Sequence, residues 1–241
     1  MTGWSRRLTV TIAITLVCFT SALKARAAPS DRIIRFTMSD PEERGKSATV
    51  RLGIPEDLFE RGSLPPDGGT ADSTLIEVIW PDWTGDKSDI HDNRWLQLLL
   101  EPISLGVTRT QVAQWNLQMY FRGHPGDKFD KAELNLQTPA STSDGLDNPV
   151  GFGIMKVENK TNIFLFRDED DFFISGEGKD LAVIRCDRPG PAFPQCQERF
   201  LYKDMSVQVV YSRQHAHEWH AVETSVRSHI DSWRDVSRSG I

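Results

Sequence analysis

Ser206-Val207-Gln208-Val209-Val210-Tyr211 has the β-branched and aromatic bias of a buried strand. Downstream of it the period changes. Trp219, Val222, Val226, Ile230 and Trp233 recur at three- and four-residue spacing. At about 100° per residue these five side chains fall within about 80° of arc, a single packing stripe, so residues 214–235 read as a helix. A helix with one apolar stripe needs a surface to cover, and the strands before it supply one. The expected fold is therefore α+β, a mostly antiparallel sheet with a C-terminal amphipathic helix packed on it.

The sheet is traceable upstream. Residues 33–38, 48–52, 75–80 and 95–100 read as strands, and a proline at position 55 suits the start of a short helical turn. Residues 115–121 alternate polar and apolar, after a stretch at 108–114 that fits a helical turn. Residues 153–157 and 163–166 form an expected hairpin, and 172–174 extend the sheet. Residues 181–185 lead into Cys186 and are expected to pair with 206–211, placing the cysteines at the tip of a long hairpin. Glycine and proline mark 62–73 as a mobile loop, and residues 137–150 as a second one.

The N-terminus reads as an export signal. Arg6 and Arg7 precede an apolar stretch that ends at Ala25-Arg26-Ala27, a small-x-small cleavage pattern. Residues 1–27 are thus expected to be a signal peptide, and residues 28–241 one exported α+β domain. Paired arginines admit a twin-arginine route as well as the general one. Of 28 basic and 34 acidic residues in the chain, four basic and no acidic ones lie in this segment. The remainder carries 24 against 34, a net charge of −10. Such a charge argues against nucleic acid and against an anionic membrane surface once the signal is gone, and favours a partner with a basic surface.

Two cysteines remain after cleavage, Cys186 and Cys196. In an oxidising compartment an even count reads as a disulfide. The intervening Asp187-Arg188-Pro189-Gly190-Pro191-Ala192-Phe193-Pro194-Gln195 is a turn, too long for a C-x-x-C redox site.

Three clusters are chemically suggestive. His215, His217 and His220, with Glu218, have the composition of a zinc site, and His91 is a further candidate ligand. The spacing is not H-E-x-x-H, and on a continuous helix the three imidazoles diverge; only a helix that starts late lets His215 swing in. The turn Trp80-Pro81-Asp82-Trp83, with Asp86 and Asp89 beyond it, offers aromatic anchors and carboxylates to a partner, or oxygens to a hard cation. Asp168-Glu169-Asp170-Asp171 reads as a solvated acidic turn, with acid–base or metal chemistry as the alternative. Gly151-Phe152-Gly153 lacks the third glycine of a dinucleotide fingerprint, and no P-loop or G-x-S-x-G elbow is present, so no cofactor is expected. The resulting expectation is a periplasmic or extracellular, non-enzymatic binding protein, an inhibitor or immunity-type partner of another exported protein. An exported hydrolase or metal-dependent enzyme, and a cell-envelope structural or assembly factor, are the competing readings.

Overall fold

Alternation along the strands builds two sheets. The computed structural model describes residues 32–39, 49–60, 62–85, 93–103, 111, 135–139, 148–158, 170–188, 190 and 192–238, with side chains up to residue 234. β1 (Ile33–Met38) and β2 (Val50–Pro55) pair antiparallel, so that Ile34 faces Ile54, Phe36 faces Leu52 and Met38 faces Val50. All six are buried, which makes one apolar face from three cross-strand pairs. β3 (Thr70–Ala71) adds to the other edge of β1 in parallel. The segment read from sequence as a mobile loop is thus anchored: Asp67 Oδ1 accepts from the Arg35 backbone N–H at 2.9 Å, just before β3.

The second sheet holds the remaining described strands. These are β4 (Thr74–Ile79), β5 (Thr84–Gly85), β6 (Trp95–Pro102), β7 (Leu136–Gln137), β8 (Met155–Val157), β9 (Asp171–Ser175), β10 (Ala182–Cys186), β11 (Gln195–Tyr202) and β12 (Met205–Ser212). Their spatial order is β5-β4-β6-β12-β11-β10-β9-β8-β7, antiparallel throughout. The partner of β10 is β11, not the strand at 206–211 expected from sequence. β11 escapes a sequence reading because Gln197, Glu198 and Arg199 mask its alternation, and Glu198 occupies a buried position. The expected strand at 115–121, the 163–166 half of the hairpin, the helical turn at 108–114 (Gln111 apart) and the export segment lie outside the described residues.

The chain ends in α1 (Trp219–Arg238), preceded by a 3₁₀ segment at Arg213–Glu218 that Ser212 caps through Gln214 N–H. α1 runs beside β2. Trp219, Val222, Val226, Ile230 and Trp233 are at most 3% exposed and join one apolar cluster with both sheets. The α+β class, with its largely antiparallel sheet and covering helix, is as the periodicities imply. Among the described residues no helix is long and apolar enough to cross a membrane.

Ile230→Ala is expected to lower stability by about 2–5 kcal/mol, because it removes a fully enclosed side chain from the stripe. Ser228→Ala, on the exposed side of the same helix, is expected to change it by less than about 0.5 kcal/mol. Urea unfolding with unchanged slope measures both.

Candidate functional site

Arg213 leads β12 into the 3₁₀ turn and is only 2% exposed. A guanidinium carries five donors and no acceptor, so burial obliges its surroundings to supply oxygens. Nη1 donates to the Asp187 carbonyl. Nη2 donates to Asn148 Oδ1 at 3.0 Å and to Asp171 Oδ2 at 2.6 Å. The Arg213 backbone N–H reaches the Pro194 carbonyl at 2.8 Å. Lys156 Nζ takes the other Asp171 oxygen at 3.0 Å. Arg185 binds Asp170 at 2.8 Å and Asp187 at 3.3 Å, and Asp187 in turn accepts from Gln195 N–H at 3.1 Å. Burial pushes the Asp171 carboxyl up, but hydrogen bonds from Arg213 and Lys156, with their charges, outweigh it and hold the group below its ordinary range.

This network fixes two loops. One is the tip between Cys186 and Cys196, which are bonded to each other across facing positions of β10 and β11. Both cysteines are fully buried, yet Phe193 in the tip is 72% exposed. The other is 148–154. Arg213 holds it at Asn148, Trp219 Nε1 donates to the Val150 carbonyl at 3.2 Å, and Ser175 Oγ donates to the Phe152 carbonyl at 3.3 Å. Gly151, Phe152 and Gly153 are all left-handed, with φ of 75°, 52° and 71°. Glycine adopts this without penalty; phenylalanine does not. Phe152 is nevertheless 69% exposed, its ring lying over His220 at 3.9 Å and edge-on to Trp219 at 6.2 Å. Two largely exposed aromatic rings, one of them backed by His220, thus stand on loops that share one buried arginine. Strain and exposure of this kind collect at binding sites.

No family model matches the sequence, and no curated protein matches it. The chain is similar in fold to a solved immunity protein. That protein is Smlt3025 of the Stenotrophomonas maltophilia type IV secretion system, with TM-score 0.53 and 13% identity, over 86% of this chain and 94% of that one. The iron-regulated outer membrane lipoprotein FrpD of Neisseria meningitidis aligns over 86% of this chain and 97% of its own, with TM-score 0.47 and 9% identity.

The residues singled out from sequence are distributed as follows. Cys186 and Cys196 form the disulfide. His215 Nδ1 contacts Glu218 Oε2 at 2.7 Å, and His217 Nδ1 lies 3.0 Å from the Gln214 carbonyl. His220 stacks under Phe152, with its Nδ1 buried and without a hydrogen-bond partner among the described residues. The three imidazoles face three different neighbours. Among the described residues no three His, Cys, Asp or Glu side chains converge as a metal cradle. The helix proper starts at Trp219, so His215 and His217 lie on the 3₁₀ turn.

Trp80 and Trp83 are half-buried and packed against the core. The Trp83 ring stacks on His229 at 3.7 Å and its Nε1 donates to Ser225 Oγ at 2.8 Å, which docks the turn on α1. Asp82 is exposed and lies 3.8 Å from Arg94. Asp86, Asp89 and His91 lie outside the described residues, as do Asp168 and Glu169. Asp170 and Asp171, read as part of a solvated acidic turn, instead sit in the arginine network, because Arg185 and Arg213 approach from distant strands. Phe152 and Phe193 were missed. Their only sequence signals are the flanking glycines of one and the proline-rich tip of the other.

A carboxyl held below its ordinary value contributes stability that is present above that value and is lost as pH falls through the folded-state one. The wild-type protein is therefore expected to weaken as pH drops below 3.8, the ordinary value of Asp171. Asp171→Asn is expected to lack this part of the acid limb and to be destabilised by roughly 3 kcal/mol at neutral pH, since Arg213 then stays buried without its anion. Urea midpoints measured against pH for both proteins check the sign and the window.

Proposed function

We propose that this chain is an exported, non-enzymatic binding protein that holds another exported protein, as an inhibitor or immunity-type partner. The observation that carries the reading is the pair of bare phenylalanines, Phe152 and Phe193, on loops tied to Arg213. Exposed rings on loops already tied in place by hydrogen bonds lose less freedom on binding, and aromatic anchors buried in an interface dominate its energy. The Cys186–Cys196 bond supports passage through an oxidising compartment. The fold likeness to an immunity protein supports the class of activity. The excess of acidic residues favours a basic partner surface. The aromatic anchor is assigned to the Phe152–Phe193 end, since Trp80 and Trp83 are already packed against α1 and the core.

A photo-crosslinking residue placed at 152 or 193 in cells of the native host is expected to trap one discrete exported protein. The same residue at 64, where Leu64 is 44% exposed on another loop, is expected not to trap it. With both proteins purified, Phe193→Ala is expected to raise Kd at least about tenfold, or about 1.4 kcal/mol, and salt to weaken binding. Equal trapping at all three positions, or a Kd untouched by loss of both rings, overturns the assignment.

A further inference from the structure

The registers of six strands align Ile76, Leu98, Val209, Glu198, Ile184 and Phe173 in one row across the large sheet. All six are completely buried, and five are apolar. Glu198 is the exception. Among the described residues neither of its carboxyl oxygens makes a hydrogen bond of good geometry; the nearest donor is the hydroxyl of Tyr211, its diagonal neighbour on β12, which is itself poorly satisfied. Above them lies α1, which turns Glu223 toward the sheet at 9% exposure. Arg227, one helical turn on, donates to Glu223 through Nε at 2.7 Å and through Nη2, and its guanidinium lies 4.6 Å from the Phe200 ring. The ionisable groups facing Glu198 are thus Tyr211 from β12 and Glu223 and Arg227 from α1; β10 presents only Ile184.

The charges do not balance if both carboxyls are ionised. One guanidinium already committed to Glu223 would face two anions in a dry apolar row, where an uncompensated charge is strongly disfavoured. A metal ion is a poor counterion here, because Arg227 already supplies the positive charge. A proton is the cation that fits.

We propose that the folded protein carries one structural proton, on Glu198, and that this neutral acid is part of the seat of α1 on the sheet. Loss of the proton puts a second anion beside Glu223 and loosens the helix. In agreement, burial pushes the Glu198 carboxyl well above its ordinary range, and repulsion by Glu223 adds to this, outweighing the opposing pull of Arg227 and of the Tyr211 hydroxyl. A group raised in the folded state contributes stability that is full below its unfolded value of about 4.5 and is lost as pH rises through the folded one. Within that window the folding equilibrium falls up to tenfold per pH unit.

Infrared spectra of the intact mature protein near neutral pH are expected to show a protonated-carboxyl C=O band that Glu198→Gln removes. Urea midpoints followed from mildly acid to alkaline pH are expected to show a one-proton slope in the wild type that is absent in Glu198→Gln, which keeps the shape without the charge. Amide exchange along α1 is expected to accelerate with pH, beyond its intrinsic rate, in the wild type only. Glu223→Gln leaves Arg227 free to attract the Glu198 anion, so the window is expected to narrow toward acid. Absence of the band, equal slopes in wild type and Glu198→Gln, or an unmoved window in Glu223→Gln overturns the proposal.

Discussion

Arg213 is the constraint on which the Phe152–Phe193 end of the molecule depends. A buried guanidinium with acceptors on three separate segments cannot be satisfied unless all three are in place together. Asp171 comes from the edge of β9, Asn148 from the loop that leads to Phe152, and Asp187 from the disulfide-closed tip that leads to Phe193. The disulfide alone fixes only the base of that tip. The arginine sets the tip against the 148–154 loop and against the start of the helical segment. A buried ion pair is weak evidence for net stability, but losing one partner is severe. That asymmetry suits a device whose purpose is placement.

The acidic surplus of the chain has two fates in the fold. Some carboxylates are absorbed into pairs: Asp170 with Arg185, Asp171 with Arg213 and Lys156, Asp231 with Lys203 and the Tyr202 hydroxyl. Others are exposed, among them Asp67 and Glu177. Each such pair removes a base along with its acid, so the acidic surplus read from composition survives the pairing and stays available to a partner. The contact energy of the proposed interface resides in the aromatic rings, and the charge acts at longer range on encounter.

Much of the architecture was legible because burial and period agree. β1 and α1 show their apolar faces in the sequence, and β4, β6 and β12 their β-rich composition. β11 was not legible, because a glutamate at a core position breaks the only pattern that marks a strand. The same substitution makes the strand informative once its register is known. Trp83 read as a surface anchor because nothing local indicates that Ser225, 142 residues away, holds its indole N–H. Phe152 is hidden in the sequence for a related reason. Gly151-Phe152-Gly153 resembles a fragment of a nucleotide motif in sequence, whereas its content is conformational: three consecutive left-handed residues that turn a ring outward. Side-chain periodicity does not encode such a turn.

The helix links the two polar features of the molecule. Trp219, whose indole N–H holds the Val150 carbonyl, lies one turn before Glu223, which faces Glu198 in the sheet. Besides the Ser175 hydroxyl at the Phe152 carbonyl, the loop bearing Phe152 thus has two supports of different physical character. At Asn148 it rests on the Arg213 guanidinium, whose anion Asp171 is held below its ordinary carboxylate range. At Val150 it rests on a helix whose seat includes a neutral carboxylic acid. A disturbance of that acid moves the Trp219 support while the Arg213 support stands, so the Phe152 loop loses its hold at one point and keeps it at the other. The disulfide tip with Phe193 is bonded to Arg213 through the Asp187 and Pro194 carbonyls. Of the two rings, Phe152, whose loop rests directly on α1 through Trp219, is therefore expected to respond to pH first.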